Sequence, residues 1–88
     1  MLDVVHRYGA VVKSGGTIYH ASAYAERQDD GTWHGYLVFT TTGGGRTVIT
    51  PRETTQSNLD ALNYWAGGIS PVYLEGALDR AMSLESDE

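Results

Sequence analysis

The stretch Ala25-Glu26-Arg27-Gln28-Asp29-Asp30-Gly31-Thr32-Trp33-His34-Gly35-Tyr36-Leu37-Val38-Phe39 decides how this chain folds. It holds two runs rich in β-branched and aromatic residues, separated by Asp30-Gly31, a strong short-range hairpin signal. A two-residue type I′ turn there would pair Asp29 with Thr32, Arg27 with His34, Ala25 with Tyr36 and Ala23 with Val38. That register sorts the strands into two faces, because side chains alternate along a strand. One face carries Ile18, Tyr24, Trp33, Leu37 and Phe39. The other carries Tyr19, Ala21, Ala23, Ala25, Tyr36 and Val38, with Arg27 and His34 towards the turn.

Outward from this hairpin, glycine punctuates further strands. Strands are predicted near Asp3–Lys13, Thr17–Gln28, Thr32–Thr42 and Arg46–Thr50, with Ser14-Gly15-Gly16 and Gly43-Gly44-Gly45 as the outer turns. The period then changes. Leu59, Leu62, Trp65 and Ala66 recur at helical spacing, with Gly67 placed to end the helix as a left-handed cap. Ser70 as N-cap and Pro71 at the first helical position open a second helix, whose stripe is Leu74, Ala77, Leu78, Ala81 and Met82. Gly76 weakens that helix unless it permits close packing.

The expected fold is therefore α+β: a four-stranded antiparallel sheet followed by an αα-hairpin packed on one face, in the order β-β-β-β-α-α. The 88 residues, 41% hydrophobic and 19% charged, fit a single domain over residues 1–84 with an acidic flexible tail at 85–88. A domain this small has a thin core, so a partner surface adds stability. The helices are expected over the face holding Trp33, Leu37 and Phe39. The Ala/Tyr face is then left bare, and a homodimer burying Tyr19, Tyr36 and Val38 is the expected remedy. The candidate interface is Tyr19, Ala21, Ala23, Arg27, His34, Tyr36 and Val38.

Composition removes several function classes. The chain has no cysteine, which excludes disulfides, thiolate nucleophiles and Cys-ligated metal sites. A net charge of −5 with six scattered Lys and Arg argues against phosphate-backbone capture, so no nucleic-acid partner is expected. The early charges in Met1-Leu2-Asp3-Val4-Val5-His6-Arg7 do not fit a secretory signal, and no segment reaches the ~20 apolar residues of a membrane span. A cytoplasmic protein without membrane attachment is expected.

The polar run Arg52-Glu53-Thr54-Thr55-Gln56-Ser57-Asn58 is the candidate ligand site. Thr55 or Ser57 can serve as N-cap, while Arg52, Thr54, Thr55, Ser57 and Asn58 can hold a small anion such as phosphate. Capping and turn-making account for the same residues without a ligand, and Glu53 opposes an anion. The Gly43–Gly45 loop lacks the spacing of a P-loop, and Asp29-Asp30-Gly31 lacks that of a calcium loop. His6, His20 and His34 form no metal or nucleophile signature, so no catalytic residue, metal or cofactor is assigned and the chain reads as a non-enzyme. Tyr64, Trp65 and Tyr73 are expected to lock the helices against the sheet, with a pocket at their junction the next place to look.

Asp29 to Phe39, followed by a Thr-rich turn and Leu59-Asp60-Ala61-Leu62, resembles the strand-then-helix core of HicB-type antitoxin domains over about half of the chain. The resemblance implies a partial RNase H-like fold, a small toxin ribonuclease as partner, and dimerisation. Arg52 to Ala66 and the Tyr73–Leu78 helix are also similar to a small uncharacterised bacterial domain family, which implies no activity. Three functions thus stand as expectations: a homodimeric protein-interaction module of unknown specific role, an antitoxin-like or inhibitory protein binding a basic partner, and a small anion-binding protein.

Overall fold

The computed structural model describes residues 2–86. Five strands and two helices follow in order: β1 (Leu2–Ser14), β2 (Thr17–Arg27), β3 (Trp33–Thr41), β4 (Thr47–Ile49), β5 (Thr54–Gln56), α1 (Leu59–Gly67) and α2 (Pro71–Ser86). All strand pairs are antiparallel, in the order β1-β2-β3-β4, with β5 also paired to β3. The α+β class and the order of sheet before helices are as the sequence predicts. The fifth strand is new, and it lies inside the polar run. Because α2 continues through Ser86, the first two residues of the predicted tail are helical; Asp87 and Glu88, like Met1, lie outside the described residues.

Gly15 and Gly16 make the first hairpin turn with φ of 57° and 83°, so that Ser14 pairs with Thr17 across a two-residue loop. Positive φ at both central positions is what a type I′ turn requires. The second turn differs. Gly31 has φ 88°, but no non-glycine residue among the described residues has positive φ, so Asp30 does not take the left-handed conformation. Its Oδ1 instead accepts hydrogen bonds from Thr32 N at 2.9 Å and Thr32 Oγ1 at 2.6 Å. Gln28 N donates to Thr32 O at 2.8 Å and Gly31 N to Gln28 O at 3.0 Å. This wider loop pairs Arg27 with Trp33, Ala25 with Gly35, Ala23 with Leu37 and Ala21 with Phe39.

The pairing is therefore offset by one residue from that of a two-residue Asp30-Gly31 turn. An offset of one exchanges which residues share a face. Tyr19, Ala21, Ala23 and Ala25 of β2 lie with Leu37 and Phe39 of β3 and Val48 of β4, and all are buried. Leu62, Ala66, Leu74, Ala77, Leu78 and Ala81 of the helices are buried with them. The expectation that the helices cover Leu37 and Phe39 holds, but the alanine row lies beneath them too. Alanine and glycine make a low floor that lets helices approach the sheet closely. Gly35 is the lowest point: a Cβ there would stand 2.8 Å from Trp65 Cζ3 and 2.8 Å from Thr54 Cγ2.

Helix ends follow local chemistry. Ser70 Oγ accepts from Tyr73 N at 3.2 Å, as expected of an N-cap before Pro71. The cap of α1 is Asn58, whose Oδ1 accepts from Ala61 N at 2.8 Å, and not Thr55 or Ser57. At its other end α1 includes Gly67 and closes on Gly68 with φ −94°, a right-handed cap in place of the expected left-handed one. Gly68 N donates to Trp65 O and Ile69 N to Ala66 O, tightening the last turn. Tyr8 of β1 donates its hydroxyl to Ala66 O at 2.7 Å and joins the first strand to this helix end.

Along the outer side of β3 runs an interrupted edge. Val38 pairs with Ile49 in β4 and Gly35 with Thr54 in β5, leaving Tyr36 and Leu37 between them. Thr50 fills the gap: its N donates to Leu37 O at 3.0 Å, and its Oγ1 accepts from Leu37 N at 3.0 Å. Pro51 follows, exposed and without an N–H to offer a neighbouring strand.

Candidate functional site

With the helices on one side, the other side of the sheet is bare. Even-numbered residues of β2 and β3 face it, in rows set by the pairing. Val4, Tyr24 and Tyr36 lie opposite one another across β1, β2 and β3. The next row is Arg7, Ser22, Val38 and Ile49, so that Arg7 and Ser22 bound the apolar side chains on the β1 side. Together these apolar side chains form a band in the middle of the face, in which Ile49 is 52% and Val4 39% exposed. Mainly polar rows flank it: Glu26, His34 and Thr55, with Leu2 at the β1 end, towards the hairpin, and His20, Thr40 and Thr47 at the far end. The His34 ring stands edge-on to Tyr36 with centroids 6.4 Å apart.

The expected interface set divides between the two sides. Tyr19, Ala21 and Ala23 are at most 2% exposed, beneath the helices, and offer nothing to a partner. His34, Tyr36 and Val38 are on the bare face, while Arg27 is exposed at the end of β2 opposite Trp33. Tyr24, expected under the helices, is on the bare face with Val4 and Ile49, which the sequence reading did not place. The signal for all three was strand parity, misapplied through the turn.

The polar run is similarly divided. Thr54 opposes Gly35 and contacts the region of Trp65, whereas Thr55 opposes His34 on the bare face, since successive strand residues point to opposite sides. Asn58 is engaged as the α1 cap, Ser57 Oγ accepts from Asn58 Nδ2 at 3.4 Å, and Arg52 is exposed. Arg52, Thr54, Thr55, Ser57 and Asn58 therefore do not converge on one point. What does converge is a group the sequence reading missed. Glu53, whose side chain is only 8% exposed, accepts from Tyr73 OH at 2.6 Å and Arg80 Nη2 at 2.9 Å, both on α2. Its backbone N donates to Gly35 O at 2.8 Å, so one residue ties the edge of β3 to the second helix.

Electrostatics follow these contacts. The hydrogen bond to Glu53 raises the Tyr73 phenol above its ordinary value, with burial adding to it. Hydrogen bonds from Thr32 hold the Asp30 carboxyl below the usual range. Burial pushes the Tyr8 phenol up to about 12. Among the described residues, no cluster of three or more His, Asp or Glu is placed to hold a metal ion, and no helix is long and apolar enough to cross a membrane.

Two surface grooves accompany the bare face. One, of about 410 Å³, follows the hairpin residues Glu26 to Asp30. The other, of about 290 Å³, lies where α1 meets α2. Its residue Tyr64 is 87% exposed and so does not lock the helices as expected, whereas Trp65 packs against the core. No family model matches the chain, and no curated protein or solved structure is similar to it.

Proposed function

We propose that this chain is a non-enzymatic interaction module that pairs with a second copy of itself through the bare face of its sheet. The apolar band of Val4, Tyr24, Tyr36, Val38 and Ile49 carries the reading. A contiguous apolar strip rimmed by polar residues is what a self-associating face requires. Its size is moderate: strands at ~4.8 Å spacing and ~3.4 Å per residue, narrowing from 11 residues in β2 to 3 in β4, offer about 600 Å², below the ~800 Å² per partner of a standard interface.

The polar rows favour one orientation. A two-fold axis in the plane of the face and perpendicular to the strands stacks the two apolar bands. It also brings the Glu26 row of one copy over the His20 row of its partner, where a carboxylate can accept from an imidazole N–H and so fix register. The histidines support a non-catalytic reading. His6 lies against Tyr8 and His34 against Tyr36, and no histidine lines the groove along Glu26 to Asp30 or the one between α1 and α2.

Sedimentation velocity across a micromolar concentration series tests the proposal. The chain is expected at twice its monomer mass, and Ile49→Asp at monomer mass with an unchanged far-ultraviolet spectrum. A monodisperse monomer at high micromolar concentration refutes the reading. A dimer that survives Ile49→Asp moves the contact away from this face.

A further inference from the structure

The groove between α1 and α2 is unlike the rest of the surface, and its chemistry is independent of the sheet face. Tyr64, Trp65, Gly68, Ile69, Ser70 and Tyr73 line it, so three aromatic side chains border a space of about 290 Å³. That volume is at the lower end of small-molecule clefts, which begin near ~300 Å³. No charged side chain is among the lining residues. Two of the lining hydroxyls are engaged, Ser70 Oγ accepting from Tyr73 N and Tyr73 OH donating to Glu53, while that of Tyr64 is on a side chain that projects into solvent. The groove is thus bordered by aromatic rings and apolar groups, with few polar groups to recognise an anion or a sugar.

Aromatic faces carry negative potential and attract cations. One further observation strengthens that preference here. Tyr73 donates its proton towards a carboxylate, which increases the electron density of its ring, and the raised phenol pKa reports the same interaction. The Arg80 guanidinium stands over the Tyr73 ring, 5.6 Å from its centroid, with its charge offset by Glu53 at 2.9 Å, so the contact with a second cation falls more heavily on Tyr64 and Trp65. The net charge of −5 adds a field of the same sign.

The geometry points to a binding site for a small organic cation, with a methylated ammonium group seated among Tyr64, Trp65 and Tyr73. A quaternary ammonium fits best, because it has no N–H groups to leave unsatisfied against apolar groups and spreads its charge over methyl groups that contact the rings. The free molecule binds weakly, in the millimolar range, since the groove is open and Tyr64 projects into solvent.

An NMR titration with tetramethylammonium chloride at constant ionic strength tests this, with tert-butanol as an uncharged probe of similar shape. The expected result is saturable shifts at the Trp65 indole N–H and the Tyr64 and Tyr73 rings, with much weaker effects from tert-butanol. Tyr64→Ala, at a site exposed enough to leave the fold intact, should weaken the cation roughly two- to fivefold, as expected for loss of one exposed cation–π contact, and Tyr64→Phe should retain it. Absence of saturable shifts at tens of millimolar overturns the proposal. Equal binding of tert-butanol overturns it too, by showing selection for shape without charge, as does unchanged affinity in Tyr64→Ala. Repeating the titration on Ile49→Asp keeps the outcome separate from that of self-association.

Discussion

Replacing Gly35 by alanine tests the account of how α1 sits on the sheet. Glycine within a strand ordinarily weakens it, and Ala in its place gains about 0.5–1 kcal/mol from reduced backbone freedom in the unfolded chain. At Gly35 the added methyl meets Trp65 Cζ3 and Thr54 Cγ2, each at 2.8 Å, and Trp65 Cη2 at 3.2 Å. Neither obstacle moves cheaply. The indole is wedged against the core, and the threonine methyl belongs to a strand hydrogen-bonded to β3 itself. Forcing an extra carbon into such a site costs about 1–3 kcal/mol, and two rigid contacts place it in the upper part of that range. The net expectation is a loss of about 2 kcal/mol, against the ~4–13 kcal/mol a domain of 88 residues has in total. The melting temperature should then fall by about 8–16 °C, read by near-ultraviolet circular dichroism. Gly76→Ala is the matched control. A Cβ there meets only Arg80 Nη1 at 3.6 Å, so that variant should gain about 0.5–1 kcal/mol of helix stability. Adding Trp65→Leu to Gly35→Ala should give a double variant less damaged than the two single losses combined, by at least ~0.5 kcal/mol. An unchanged or higher melting temperature in Gly35→Ala, or strict additivity in the double variant, refutes the close approach of Trp65.

Thr50→Val keeps the shape of a buried side chain but leaves Leu37 N–H without its acceptor, which should cost about 1–3 kcal/mol in urea denaturation. Because burial raises the Tyr8 phenol from 10.0 to about 12, the folded state holds this proton more tightly than the unfolded one. Stability from Tyr8 is therefore complete below pH 10 and lost as pH rises towards 12, and Tyr8→Phe should flatten that part of the alkaline decline in denaturation midpoint. Asn58→Ala should cost about 1 kcal/mol through the lost cap. The pair Thr55→Ala and Ser57→Ala, at exposed positions that cap nothing, should stay within ~0.5 kcal/mol of the parent chain by the same measurement.

Element types were legible in the sequence because their signals are local. Gly15-Gly16 marked a turn with two positive φ angles, Ser70-Pro71 marked a helix start, and the apolar spacing of Leu74 to Ala81 marked its buried side. The assignment of faces was not legible, because it depended on one choice at Asp30. That side chain could either follow glycine into the left-handed region or bond to Thr32, and the bond to Thr32 prevailed. A single added loop position then moved Tyr24 onto the bare face and placed the alanines opposite Leu37 and Phe39. Distance explains the other omissions. Glu53 meets residues 20 and 27 positions further on, and no periodicity within a strand or helix reports such a contact. The polar run reads as a linker in sequence because a three-residue strand is too short for alternation to show.

The broken edge formed by β4, Thr50, Pro51 and β5 limits what the molecule can build. A continuous edge invites further copies to add as strands, and such addition has no natural end. Here one border of the sheet is interrupted by a proline and by a threonine hydroxyl acting in place of a backbone carbonyl. The opposite border, β1, has register shifts between Val4 and His6 and between Arg7 and Val11. Neither border offers a straight row of main-chain groups for an incoming strand to copy. Contact through the flat of the sheet uses up the apolar band of both copies at once. In the proposed pairing the chain has a valence of one: its assembly would saturate at a pair, and higher concentration would yield more pairs in place of fibres.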